Sequence, residues 1–172
     1  MEGRELEALD RFNEFIEQPG PWGVAMLELG VKTLLAYLLG SLMGALLVGR
    51  FRGVDIRKQG SGNAGGTNAL RTQGKAFALG VIVIDVLKGW LASAWLPGAA
   101  LPGLAVDPAV DRDWLTAACA MAAVLGHVWP VWYEFRGGKG AATLVGVLAG
   151  VAPTLLAPVL VTWLVVVMLS GY

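Results

Sequence analysis

The sequence predicts an all-α fold, a polytopic transmembrane bundle of four or five spanning or broken helices joined by glycine-rich cytoplasmic loops. Its composition is too apolar for an ordinary water-soluble domain: 172 residues are 56% hydrophobic and 15% charged, with a mean hydropathy of +0.63. Four apolar stretches, at about 24–49, 76–96, 114–133 and 140–169, each reach the ~20 residues that a helix needs to cross ~30 Å of hydrocarbon. The charges, 13 basic and 13 acidic, cancel in sum yet segregate along the chain, which turns them into a topology signal.

Residues 1–20 place Leu6, Leu9, Phe12, Phe15 and Ile16 three or four apart, the stripe of an amphipathic helix closed by Pro19 and Gly20. Glu2, Glu5, Glu7, Asp10, Glu14 and Glu17 outnumber Arg4 and Arg11, so this acidic N-terminal extension is disfavoured on an anionic leaflet. Its acids and broken apolar pattern do not read as a cleavable signal peptide. Residues 21–172 form the membrane domain. The last apolar stretch is too long for one simple span, and Pro153 and Pro158 interrupt it, so a short or broken helix leading into a second is expected.

The connections give the orientation. Residues 50–75 carry Arg50, Arg52, Arg57, Lys58, Arg71 and Lys75 against Asp55, and are expected in the cytoplasm. Residues 97–113, with Asp107, Asp111 and Asp113 against Arg112, belong outside. Residues 134–139, with Arg136 and Lys139 against Glu134, return inside, and the N-terminus lies outside. Trp22, Trp114, Trp129 and Trp132 sit near span ends as interfacial anchors.

The stretch GSGNAGGTN, Gly60 to Asn68, has the offsets of a dinucleotide fingerprint. That fingerprint needs a buried strand before it and a helix after it in a βαβ unit, and a loop between two spans offers neither. Two readings remain for these residues. One is a flexible turn with basic residues that satisfy the positive-inside rule. The other is an anion cradle of backbone N–H groups with Ser61, Asn63, Thr67 and Asn68, and with Arg71 just beyond, which the density of donors favours. A second segment, RGGKGAAT from Arg136 to Thr143, opens the fourth apolar stretch and puts Gly138, Lys139 and Gly140 at a helix N-terminus, where exposed amides favour phosphate. Gly140 follows Lys139 where a Walker A loop requires Ser or Thr, so ATP hydrolysis is not supported; the alternative is a juxtamembrane turn with snorkelling cations.

His127, the sole histidine, lies one turn before Pro130; it either satisfies a Pro-disrupted helix end or takes part in chemistry. A zinc site lacks a second ligand, and no metal is expected. Asp85 and Lys88, three apart inside a span, mark either a polar site or helix packing, whereas Glu28 and Lys32, four apart near the outer interface, read as structural. Cys119, in an apolar run, reads as a small buried side chain.

Together, DIRKQGSGNAGGTNALRTQGK, IDVLKGW, LGHVWPV and FRGGKGAAT, in this order from about Leu34 onward, resemble the bacterial PlsY-type glycerol-3-phosphate acyltransferases. The resemblance implies a multi-pass enzyme of the bacterial cytoplasmic (inner) membrane that uses no cofactor. It would transfer an acyl chain from acyl phosphate to glycerol 3-phosphate, giving lysophosphatidic acid in the first step of phospholipid synthesis. Its partners would be these substrates and membrane lipid, not nucleic acid. Ser61, Arg71, His127 and Lys139 are the implied catalytic residues, and Asn63, Thr67, Asn68, Gly137, Gly138, Gly140 and Thr143 the implied substrate-binding ones. The Asp85/Lys88 pair matches another recurrent position of the family. Members of the family continue for two or so further helices with a third cytoplasmic motif that has no counterpart here, so the chain is expected to be C-terminally incomplete. The His-x-x-x-x-Asp pair of another acyltransferase class is not matched, since Trp132 stands where Asp is needed. No Ser-His-Asp arrangement is evident, and direct attack of the glycerol hydroxyl on the acyl carbon is expected. The alternative class is a non-catalytic membrane protein that binds or transports a phosphorylated ligand.

Overall fold

A computed structural model describes residues 6–7, 21–104 and 106–170. The expected amphipathic helix of residues 1–20 therefore lies, apart from Leu6 and Glu7, outside the described residues. The rest is helical: α1 (Pro21–Gly40), α2 (Gly44–Arg52), α3 (Gly66–Gln73), α4 (Lys75–Trp90), α5 (Arg112–Val128), α6 (Ala141–Val151) and α7 (Pro153–Ser170). Among the described residues three helices are long and apolar enough to cross a membrane: Lys75–Gly98, Arg112–Tyr133 and Pro153–Ser170. A fourth span exists if the bent pair Ala25–Gly40 and Gly44–Arg52 is one.

The first apolar stretch is not one helix. It breaks at residues 41–43 and bends by 43°, because Met43 is extended and its neighbours bond elsewhere. Lys88 Nζ on α4 donates to Leu42 O at 2.6 Å, and Gly44 N donates to Asp85 Oδ1 at 3.1 Å. These two side chains replace partners that a continuous helix would have supplied, in a place where water is unavailable. The Asp85–Lys88 pair, 3.0 Å apart, therefore serves helix packing in a specific way: it caps both ends of a broken span.

Small residues bring the helices together. α1 lies on α5 with Gly40 against the Ala123 carbonyl and Gly126 against the Tyr37 carbonyl. α4 lies on α6 with Gly89 against the Thr143 carbonyl and Gly146 against the Val86 carbonyl. Gly146 and Gly150 are four residues apart, Gly146 facing α4 and Gly150 the turn that continues it at Ser93 and Ala94, the small-xxx-small pattern that lets backbones approach in lipid. Towards its far end α4 runs into a π-helical turn, Leu91–Trp95, and a 3-10 turn, Leu96–Gly98. There Ser93 Oγ bonds Gly89 O at 2.9 Å and lies 3.4 Å from Val147 O on α6.

The last apolar stretch breaks in two as expected, but at Ala152 alone. Pro153 occupies the first position of α7, where a missing N–H costs nothing, while Pro158 stays inside the helix without ending it. α6, at 11 residues, rises only about 16 Å, too short to span. α7 buries no side chain among the described residues, an apolar surface suited to hydrocarbon.

The two ends of the bundle differ. At one, Glu28 and Lys32 pair at 2.7 Å as expected, and Arg112 joins them: its guanidinium grips both Glu28 oxygens, at 2.7 and 2.9 Å. Lys32 also donates to Pro97 O and Arg112 to Asp107 O, so the cluster clasps the acidic connection. Around it pack Ala36, Ala92, Leu96, Leu115, Cys119, Ala122 and Ala123, with Cys119 buried and apolar as expected. At the other end Met43, Ile56, Ala64, Ala69, Phe77 and Val81 form a second core beneath the basic loop. Within the basic connection of residues 50–75, the chain between α2 and α4 forms a 3-10 turn, Ile56–Lys58, and α3.

Gly146→Leu is expected to lower bundle stability by about 1–3 kcal/mol through overpacking against the Val86 carbonyl. Gly30→Ala, at a helical position with open space around it, should leave the thermal melt in detergent unchanged or raised.

Candidate functional site

The site grows from the way the first glycine loop wraps one asparagine. Asn68, on α3, is buried, and its Nδ2 donates to Ile56 O and Gln59 O, both at 3.0 Å. Its Oδ1 accepts from Ser61 N at 3.1 Å. The loop passes so close that a side chain at Gly60, where φ is +56°, would strike Asn68 Oδ1. Gln59 adds a second tie, accepting from Gln73 Nε2 at 2.7 Å. Ser61 is thereby exposed at the loop tip, and Thr67 and Arg71, four apart, stand exposed on one face of α3. Asn63 is half-buried beside Gly65.

Electrostatics hold the loop's base. Asp55 caps the 3-10 turn by accepting from Arg57 N at 3.0 Å and pairs with the Arg57 guanidinium at 2.9 Å. Arg57 in turn donates to Tyr133 O at 3.4 Å and so links the first loop to the second. The Arg57 guanidinium holds the Asp55 carboxyl below the usual carboxylate range, outweighing the opposing effect of burial.

The second loop doubles back on α5. Phe135 N donates to Pro130 O and Arg136 N to Tyr133 O, with Glu134 and Phe135 at φ 58° and 57°, a left-handed pair that is uncommon outside glycine. The turn returns Gly137 and Gly138 to the end of α5, where Gly138 N donates to His127 O at 3.2 Å. A side chain at Gly138 would collide with His127 Nε2, and it would lie 3.3 Å from Ala64 O of the first loop. Gly138 is thus where the two glycine loops and His127 meet. Gly140, at φ +78°, caps α6 as expected, leaving Lys139 exposed beside the helix N-terminus.

The structure sorts the expected site residues into two groups. Ser61, Thr67, Arg71 and Lys139 are exposed on the two loops and α3, and Asn63, Gly137 and Gly138 are half-buried. Asn68, His127 and Thr143 are buried. Asn68, expected to contact substrate, spends its amide on the loop itself. Thr143, expected likewise, turns inward, with Oγ1 3.0 Å from His127 Nδ1. Asp85 Oδ1 lies 3.6 Å from that same nitrogen, which joins the intramembrane pair to the site. Gln59, Ala64 and Tyr133 were not singled out by sequence reasoning; each contributes through main chain or a distant partner and carries no local signal.

Because the folded Asp55 carboxyl sits below its unfolded value, its contribution to loop stability is fully present above about pH 4. It is lost as pH falls towards the folded value. Amide hydrogen exchange of residues 55–61, corrected for the intrinsic rate, should accelerate on acidification from pH 5 to 3, and Asp55→Asn should be fast throughout.

A family model described as Glycerol-3-phosphate acyltransferase matches residues 31–172. The chain is 48% identical over 140 residues to a glycerol-3-phosphate acyltransferase of Cronobacter sakazakii and 46% to one of Klebsiella pneumoniae. Each alignment covers 81% of this chain, which spans 63% of the length of these relatives. Among solved structures, the glycerol 3-phosphate form of PlsY, an integral membrane glycerol 3-phosphate acyltransferase, superposes with a TM-score of 0.66 at 32% identity. That superposition covers 81% of this chain and 66% of that one. The lysophosphatidic acid form gives 0.64 at 31%, covering 81% and 64%. With sequence, family pattern and helical architecture in agreement, the chain belongs to the glycerol-3-phosphate acyltransferase family.

Proposed function

We propose that this protein transfers an acyl chain from acyl phosphate to glycerol 3-phosphate, releasing lysophosphatidic acid and inorganic phosphate at the cytoplasmic face of the membrane. The observation that carries the reading is the meeting of two glycine loops at Gly138, with Lys139 exposed next to it in the chain and Arg71 exposed on α3, the helix that follows the first loop. Backbone amides and cations in that arrangement suit ligands that are both phosphorylated. The solved relatives in glycerol 3-phosphate and lysophosphatidic acid forms stand at the two ends of such a reaction.

In this mechanism the turn Gly137–Lys139 and the first amides of α6 hold the phosphate of glycerol 3-phosphate. The glycerol hydroxyl oxygen attacks the acyl carbon, the bond from that carbon to the phosphate oxygen breaks, and the hydroxyl proton passes to the leaving phosphate. Ser61, Arg71 and Lys139 offset charge that develops on the carbonyl oxygen and the leaving group, and Asn63 and Thr67 orient the donor. The six basic residues of 50–75 support a cytoplasmic placement of this face.

Incubated in liposomes with acyl phosphate and labelled glycerol 3-phosphate, the chain should form lysophosphatidate and phosphate in equal amounts. Arg71→Ala and Lys139→Ala should each lower kcat/KM on the order of 10²-fold. Binding of glycerol 3-phosphate without either product would favour the non-catalytic class, and a covalent acyl-Ser61 adduct would overturn direct transfer. For orientation, Lys58→Cys in a Cys119→Ala background should react with an impermeant thiol reagent only from the cytoplasmic side.

A further inference from the structure

Three buried polar side chains from three helices meet beneath the glycine turn: Asp85 on α4, His127 on α5 and Thr143 on α6, exposed by 1%, 2% and 0%. His127 Nδ1 faces Thr143 Oγ1 at 3.0 Å and Asp85 Oδ1 at 3.6 Å. The Asp85 carboxylate can only accept and the Thr143 hydroxyl can accept as well as donate, so an N–H on Nδ1 would meet acceptors on that side. Asp85 is itself immobilised by Lys88 and by Gly44 N, so it is a fixed reference point inside the span.

The other side of His127 carries the turn. Its carbonyl accepts from Gly138 N, and its Nε2 edge fills the space that a side chain at Gly138 would need. Rotation of the ring would push directly on Gly138. An amide at position 85 could still cap Gly44 N–H but would leave buried Lys88 without its countercharge. The Thr143 variants, which keep that ion pair, therefore separate positioning of the ring from loss of the pair. A carboxylate additionally draws the imidazole N–H by charge.

We propose that Asp85 is a positioning residue for the anion-binding turn: with Thr143, and acting through His127, it holds Gly137–Lys139 in the conformation that receives the phosphate of glycerol 3-phosphate. The proposal rests on the functional reading above. Asp85 touches no substrate; its influence passes through the ring.

Asp85→Asn and Thr143→Val should each raise KM for glycerol 3-phosphate on the order of tenfold, through the loss of one buried polar contact with the His127 ring. KM for acyl phosphate and kcat should stay within about twofold, and Thr143→Ser should restore the original KM. Without ligand, amide exchange of residues 136–140 should quicken in Asp85→Asn and Thr143→Val and recover in Thr143→Ser. If Asp85→Asn does not fold, the Thr143 pair decides. Unchanged exchange and KM overturn the proposal, as does a loss of kcat with KM untouched. The predicted exchange pattern in a chain that neither binds nor turns over glycerol 3-phosphate would support the positioning role and refute the functional reading instead.

Discussion

A backbone interrupted inside hydrocarbon must find its hydrogen-bond partners within the protein, and the break at residues 41–43 finds them in Lys88 and Asp85. Unmet, each of those backbone groups would cost several kcal/mol. The two side chains also need one another, since removing one partner of a buried pair costs about 3–5 kcal/mol by stranding the other's charge. The 43° bend that they stabilise leaves α2 packed on α4. That brings Met43 and Ala45 together with Ile56, Ala64 and Phe77 and builds the core under the first glycine loop.

Around this break the bundle is held by proximity more than by apolar burial as such. Lipid tails are as apolar as leucine, so helices in a membrane gain little by hiding leucine from them. What they gain comes from close contact, and Gly40, Gly89, Gly126 and Gly146 provide it, each facing a backbone carbonyl of the neighbouring helix. The pairs α1/α5 and α4/α6 thus form rigid supports. The second loop is anchored to α5 and α6 and the first to α2, α3 and α4, so the meeting of the two at Gly138 inherits that rigidity.

The polar residues divide their work accordingly. Buried and half-buried groups shape the site: Asn68 organises residues 56–61, Arg57 ties Asp55 to Tyr133 O, and Thr143 sets the His127 ring. Ser61, Thr67, Arg71 and Lys139 are exposed. Catalysis by electrostatic stabilisation depends on donors already aimed before the reaction begins. In the proposed transfer, the buried set provides that aim for the exposed set.

How much of this was legible depends on the range of the forces involved. Hydropathy over twenty residues, the clustering of Arg and Lys in two connections, and two runs of small residues are local properties, so the sequence by itself determined a membrane bundle with its glycine motifs on basic loops. The pairing of Glu28 with Lys32, one turn apart, was legible for the same reason, but its third member, Arg112, was not. α3 has only Ala69 and Leu70 as apolar residues and no period to read; hydrogen bonds to Asn68 hold it against the loop. Asn68 and Thr143 looked like ligand contacts because their types and places allow it. Only the tertiary structure decided that both turn inward, that Asp85 and Lys88 cap a broken span 41 and 46 residues away, and that His127 carries Gly138. Those outcomes rest on satisfying buried polar atoms, and the partners of a buried atom are set by packing across the bundle rather than by its neighbours in the chain.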